Sequence, residues 1–291
     1  MLFPQPVVSV AVEAQNSAER DRLMEVVRRL VREDPTFTYH VDEETGELIL
    51  SGMGELYLEI LQNRMRRQFN VTARFGRPRV SYRETVPRAG VGIGEFDKRV
   101  GDIRVTGKAA VEVSPRPRPP GQRELPPIEI ELARRVFALP LTYREAVKEV
   151  LTNVCNAGGA NGYPIVDVKV NLREISLNEC PDPLVPLRAS LTLGLRNAIA
   201  AAGTTRLEPV MTLELRVPES SVGAVMRDLG ARRAEIRETV ISSPTSIVRA
   251  FVPLVGMFGY STDLRSMTQG QGSFSMEPYD FLPVPAASPR S

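Results

Sequence analysis

The pattern of hydrophobic and polar positions repeats near the two ends of this chain. Residues 6–13 and 209–216 each alternate apolar and polar side chains, as a strand with one buried face does. In both copies an apolar stripe at helical spacing follows, then two short alternating segments, a second helical segment bounded by glycine and a last strand. This order, βαββαβ, is that of the ferredoxin-like unit. The pattern therefore predicts one such domain near each end of the chain.

Capping and breaking residues set the bounds of the helices in the first repeat. Asn16 and Glu19 have the spacing of a capping box at the start of the first helix. Asp34-Pro35 ends that helix, because the residue before a proline is disfavoured in the α region. Gly52 and Gly54 let the backbone turn sharply into the second helix.

The segment between the repeats also mixes strands with helices. Thr142 and Glu145 predict a capping box at the start of one helix, and Gly158 and Gly203 end this helix and the next. The stretch 115–127 holds too many prolines for a helix or a central strand, so we expect an extended loop there. Strands alternating with helices that share one apolar face predict an α+β domain.

The predicted fold class is therefore α+β, with three domains. We place the first ferredoxin-like domain at residues 4–82, the α+β domain at 83–206, the second ferredoxin-like domain at 207–283 and a disordered tail at 284–291. No apolar run approaches the roughly 18 to 20 residues that span a bilayer, so we expect no membrane partner. Residues 1–6 have the features of neither a signal peptide nor a transit peptide, and we expect the chain to be part of a longer protein.

Composition and spacing exclude several kinds of chemistry. Cys155 and Cys180 are the only cysteines, which favours buried thiols in a reducing compartment over disulfides. His40 is the only histidine, so histidine-based triads and nearly all zinc sites are excluded. Residues 101–109 have the wrong glycine spacing for a phosphate loop and predict a hairpin, and the glycines of 90–94 predict a loop. We therefore predict no catalytic, cofactor-binding or metal-binding residues.

Arginine is concentrated in one stretch, although the net charge of the chain is only +2. Eight arginines fall between positions 64 and 88, with Glu84 as the only acid among them. Such a concentration neutralises phosphates in a salt-dependent manner, or else forms a solvated helix face and strand edges. The candidates for contact with RNA or with another domain are Arg64, Arg66 and Arg67.

A second candidate surface follows the last predicted helix, at 258–268. Four residues there place hydroxyls and amides beside glycines, namely Ser266, Thr268, Gln269 and Gln271. Glycine lets a partner approach the backbone closely, which suits contact with RNA or protein. The alternative is a tight turn that only the fold requires.

Several motifs of this chain resemble the C-terminal part of elongation factor G, the translational GTPase. They are GMGELYLEI at 52–60 and VSYRET at 80–85 for the third domain of that family, and LEPVM at 207–211, AFVPL at 250–254 and the long run at 257–274 for the fifth. The resemblance implies two ferredoxin-like domains around an α+β domain of the ribosomal-protein-S5-like type. It also implies that GTP and magnesium bind to a GTPase domain upstream of this chain, and that this chain itself holds no cofactor. The implied partners are the N-terminal GTPase domains of the family and the rRNA and proteins of the ribosome.

The chain departs from the family's translocases in three places. Tyr57 stands where the family commonly has histidine, and residues 100–107 and 173–180 match neither the glycine-rich segment nor the tip loop of a translocase. These losses resemble the mitochondrial recycling paralogue, ribosome-releasing factor. That resemblance implies a monomer that splits ribosomes with ribosome recycling factor in the mitochondrial matrix. Two alternatives remain: a translocase in elongation, which would place it in the cytoplasm, or a small-molecule-binding regulatory module or acylphosphatase-type enzyme on the same fold.

Overall fold

The structure is a computed structural model that describes residues 8–34, 36–41, 48–76, 79–100, 103–117, 128–133, 140–178 and 180–285. The chain forms two units. One holds Met1–Ser81 and Glu208–Leu282, and the other holds Tyr82–Leu207 and Pro283–Ser291. Most of the predicted loop at 115–127 and most of the predicted tail at 284–291 lie outside the described residues.

The N-terminal module has the predicted βαββαβ order. Its elements are β1 (Val8–Ala14), α1 (Ser17–Glu33), β2 (Thr38–Val41), β3 (Leu48–Gly52), α2 (Glu55–Phe69), β4 (Ala73–Phe75) and β5 (Arg79–Val80). The sheet order is β2-β3-β1-β4, all antiparallel, and β5 also pairs with β1. The alternating valines of β1, Val8, Val10 and Val12, are buried in the hydrophobic core. Asn16 caps α1 as predicted, since its Oδ1 accepts a hydrogen bond from the backbone N–H of Glu19 at 2.9 Å.

The middle segment is an α+β domain with a four-stranded sheet. Its elements are β6 (Arg83–Thr85), β7 (Gly90–Val100), β8 (Ile103–Pro115), β9 (Ile128–Leu132), α3 (Leu141–Ala157), β10 (Val168–Leu177) and α4 (Leu184–Ala202). The order is β7-β8-β10-β9, with β9 parallel to β10 and the other pairs antiparallel. The predicted hairpin at 101–109 is confirmed. Strands β7 and β8 pair antiparallel along their length, and the last pair before the turn is Val100 with Ile103.

Two predictions about this domain were wrong. The glycines at 90–94 form strand β7 and not a loop, because their missing side chains let helix α4 lie directly against the strand. A β-carbon added at Gly92 would clash with backbone atoms of Gly194 and Ala198 in α4. In addition, α3 begins at Leu141 with Pro140 as its N-cap, so Thr142 lies inside the helix and makes no cap.

A buried carboxylate anchors the turn that follows α3. Glu84 is fully buried, and its Oε1 accepts hydrogen bonds from the backbone N–H groups of Asn161 at 3.1 Å and Tyr163 at 3.0 Å. Its own backbone pairs with Pro164 and Val166. The one acid of the arginine-rich stretch therefore serves the fold of the middle domain.

The C-terminal module repeats the topology of the first. Its elements are β11 (Thr205–Pro218), α5 (Val222–Ala231), β12 (Glu235–Val240), β13 (Thr245–Pro253), α6 (Tyr260–Thr268) and β14 (Ser273–Pro283). The sheet order β12-β13-β11-β14 matches that of the first module strand for strand. The α+β fold class, with two ferredoxin-like modules around a different domain, is confirmed. Among the described residues no helix is long and apolar enough to cross a membrane.

Candidate functional site

The first predicted contact surface lies on the helices of the N-terminal module. Arg66 and Arg67 are exposed in the last turn of α2, and neither forms an ion pair or hydrogen bond within the described part of the chain. Arg64 differs, because its Nη2 lies 2.6 Å from Oε2 of Glu33 in α1 and its Nε donates to Gln68. Arg64 therefore joins the two helices, and hydrogen bonds from Arg64 and then Arg29 lower the pKa of Glu33.

Helix α1 adds two arginines that the sequence analysis missed. Arg28 and Arg32 are exposed, lie one helical turn apart and have no partner among the described residues. Their position outside the apolar stripe of α1 was the signal that could have identified them. We call Arg28, Arg32, Arg66 and Arg67 the arginine surface. It offers four unpaired cations on two adjacent helices.

Tyr57 makes a further link between the two helices. The Tyr57 hydroxyl donates a short hydrogen bond to Oδ2 of Asp34, the residue that ends α1, and Oδ1 of Asp34 accepts from Thr36. Burial, followed by the hydrogen bond to Asp34, raises the pKa of Tyr57 to about 12. Burial acts to raise the pKa of Asp34, but the hydrogen bonds from Thr36 and Tyr57 outweigh it and leave that pKa lowered. The hydroxyl therefore stays protonated and ties α2 to the end of α1.

Thr268, in the second predicted surface, belongs to the fold of the C-terminal module. It is 2% exposed, its Oγ1 donates to the carbonyl of Leu264 at 2.7 Å and it accepts from the N–H of Gly272 at 2.9 Å. Both hydrogen-bonding roles of the hydroxyl are therefore used within α6 and the turn after it. Thr268 positions that turn and offers no exposed group.

The other three residues of this surface are exposed. Ser266 donates to the carbonyl of Thr262 at 3.1 Å, in the helix itself. Gln269 ends α6 in the left-handed conformation with φ of 53°, and Gln271 follows it in the turn. The amides of Gln269 and Gln271 are exposed side-chain groups of this surface.

Arg232 fixes the helices on which this second surface depends. Its Nε lies 2.7 Å from Oδ2 of Asp228 in α5, its Nη2 lies 2.6 Å from Oδ2 of Asp263 in α6, and its Nη1 donates to the carbonyl of Gly256. The guanidinium also lies 4.9 Å from the ring centroid of Tyr260. The hydrogen bonds to Asp228 and Asp263 raise the pKa of Arg232, although burial acts against them. Arg232 is a structural clamp between α5 and α6.

Two of the three departures from the translocase pattern, residues 100–107 and 173–180, meet at one end of the middle domain. Oδ1 of Asn178 accepts from the N–H of Thr106 at 2.8 Å, and Nδ2 of Asn178 donates to the carbonyl of Arg104 at 2.5 Å. Arg104 is also paired with Asp97 across the hairpin, at 2.5 Å. Hydrogen bonds through Asn178 therefore join the described residues of the two segments near the end of the β7–β8 hairpin.

Groups with catalytic potential are sparse in the described ranges. No cluster of three or more His, Cys, Asp or Glu side chains there could hold a metal ion. Burial raises the pKa of the Cys155 thiol to about 12, so this thiol is not a nucleophile at neutral pH.

Comparison with known proteins identifies three consecutive domains. Three protein-family models match the chain. The family described as elongation factor G, domain III, matches residues 3–77. Elongation factor G, domain IV, matches residues 78–185, and the elongation factor G C-terminus matches residues 205–290. A crystal structure of a Thermus thermophilus protein is similar to the chain, with 29% sequence identity and a TM-score of 0.71. The similarity covers 98% of this chain and 42% of that protein, so the chain spans less than half of its length.

Proposed function

Because the chain belongs to the elongation factor G family and corresponds to its C-terminal portion, we propose that it is the ribosome-binding part of a translational GTPase. Its first module would relay the nucleotide state from the GTPase domains to the ribosome. The middle domain would reach toward the inter-subunit region, and the last module would contact the large subunit. The arginine surface and the amides of Gln269 and Gln271 are the groups we assign to these contacts.

Within this family we propose a role in recycling, in which the subunits are split after termination together with ribosome recycling factor. The observation that carries this proposal is the sequence of the two segments that meet at the end of the β7–β8 hairpin. Residues 100–107 and 173–180 both lack the translocase sequences, and hydrogen bonds through Asn178 bring them together there. A change in two segments that are bonded to each other alters what this end of the domain can contact.

The mitochondrial matrix is the compartment that this proposal favours, on the resemblance to the recycling paralogue. The translocase in elongation is the second candidate. It is supported by the three domain models, which all carry the name of elongation factor G.

The test joins this chain to the GTPase half of a family member and measures two activities. Subunit splitting is followed by light scattering with recycling factor and GTP, and elongation is followed by synthesis of a homopolymeric peptide. We expect splitting without elongation. As a matched control, a variant that receives translocase sequence at 100–107 and 173–180 should gain elongation. Elongation by the unaltered fusion would reject the recycling role in favour of the translocase.

A further inference from the structure

A groove runs along α1 beside the C-terminal end of α2 and has a volume of about 640 Å³. This volume lies within the range of small-molecule sites, roughly 300 to 1,000 Å³. All the residues that line it belong to the N-terminal module. The sequence analysis did not anticipate this groove.

One wall of the groove is a stripe of charged residues along α1. Asp21, Glu25, Arg28 and Arg32 follow each other at helical spacing, so the stripe is acidic at one end and basic at the other. None of the four has an ion-pair or hydrogen-bond partner within the described residues. Their charges are therefore available to a ligand.

The other wall contains Phe69, whose ring lies against Arg29 and whose backbone carbonyl binds Arg22. The guanidinium carbon of Arg29 lies 5.4 Å from the ring centroid of Phe69, and Nη2 of Arg22 donates to the Phe69 carbonyl at 2.9 Å. Val26 lies between these walls and is buried. The groove thus holds an aromatic ring and, along α1, the unpaired Arg28 and Arg32. Aromatic rings together with cationic side chains bind single-stranded nucleic acid, through stacking and phosphate contact.

We propose that this groove binds an unpaired nucleotide of RNA, with phosphates at Arg28 and Arg32 and the base against Phe69. The inference rests on the proposed function, which supplies ribosomal RNA as the partner. The acidic end of the stripe favours a nucleotide over an acidic peptide. Asp21 and Glu25 can accept hydrogen bonds from the amino groups of bases, and the side chains of an acidic peptide carry no such donors.

The test measures binding of a fluorescein-labelled single-stranded RNA decamer to the full chain by anisotropy, over a series of KCl concentrations. For single strands the logarithm of the binding constant falls with log salt by about 0.7 per phosphate contact. The double variant Arg28→Gln and Arg32→Gln should therefore lower this slope by about 1.4. The control double variant Arg196→Gln and Arg227→Gln removes the same charge from exposed positions on α4 and α5. It should leave the slope unchanged.

A third variant tests the base contact separately. Phe69→Leu should weaken binding by about 5- to 100-fold with the salt slope unchanged, because base stacking on an aromatic ring contributes on this scale. A thermal melt checks that this half-buried substitution leaves the protein folded.

Equal slopes for the groove and control double variants would overturn the inference, as would tight binding of a polyglutamate peptide that depends on Arg28 and Arg32. If the chain still binds ribosomes while the groove variants behave as the control does, only the groove assignment fails. If the chain binds no ribosomes at all, the proposed function fails first.

Discussion

At the scale of single residues, Tyr57 makes one of the contacts between α1 and α2. Its hydroxyl donates to Asp34 and so links the first turn of α2 to the end of α1. The predicted contact residues Arg66 and Arg67 lie on the same helix. The residue is therefore placed to stabilise the helix pair that carries the arginine surface.

Tyr57→Phe removes this hydrogen bond and should lower the free energy of unfolding by about 1 kcal/mol, because Asp34 loses one partner. Urea unfolding at neutral pH measures the change. Tyr39→Phe is the matched control, since the Tyr39 hydroxyl has no partner in the described residues, and its effect should stay within about 0.5 kcal/mol.

The same pair gives a pH dependence with a definite sign. The pKa of Asp34 is lowered in the folded state, so its contribution is lost as pH falls below the usual value of 3.8. The pKa of Tyr57 is raised from 10.0 to about 12, so its contribution is lost as pH rises through that interval. The difference in unfolding free energy between wild type and Tyr57→Phe should be constant near neutrality and shrink at both extremes. A difference that does not change with pH would show that the bond contributes nothing.

The arginines illustrate what could and could not be predicted at this scale. Arg64, Arg66 and Arg67 look alike in the sequence, and their helical position was predictable from the apolar stripe. Only the packing of α2 against α1 places Glu33 beside Arg64 and leaves the other two unpaired. Thr268 was chosen for its hydroxyl, but the burial of that hydroxyl depends on the closing of a turn by Gly272.

At the scale of elements, the contact of α4 with β7 determines how tightly the middle domain packs. Gly90, Gly92 and Gly94 all point at α4, and a β-carbon at any of them would clash with the helix backbone. The helix contributes its own small residues at Gly194 and Ala198. Protein interiors tolerate added volume poorly, so this contact is sensitive to a single methyl group.

Gly92→Ala should destabilise the protein by about 3 kcal/mol, at the upper end of the cost of overpacking, because the obstacle is backbone and cannot rotate away. Gly223→Ala is the matched control on α5, where an added β-carbon meets nothing within 4 Å. It should stabilise the protein by about 0.5 to 1 kcal/mol, since alanine favours the helix. Thermal and urea unfolding measure both variants, and equal effects would contradict the packing account.

Elements with a local signal were predictable, and elements set by distant partners were not. Both βαββαβ modules follow from periodicities and caps contained in short windows, such as Asn16 at the start of α1. Strand β7 carries no such signal, because its glycines have no side chains to alternate and only α4, about a hundred residues later, defines their role. The capping box expected at Thr142 failed because Pro140 starts α3 earlier.

At the scale of the whole molecule, the chain joins two modules of the same topology through an unlike domain. The fold class and the family resemblance were accessible from the sequence, because the motifs at 52–60 and 257–274 are long and specific. The groove was not, since its walls come from two helices whose contact is tertiary. The proposed function makes the molecule a ribosome-binding device, and the arginines are the groups that we assign to RNA.

The most direct test is co-sedimentation of the full chain with ribosomes as KCl rises from about 50 to 200 mM. The account predicts binding that weakens steeply with salt, and a smaller salt dependence when Arg28, Arg32, Arg66 and Arg67 are all changed to Gln. The absence of binding at the lowest salt, or binding that is equally strong and equally salt-dependent in the fourfold variant, would contradict it.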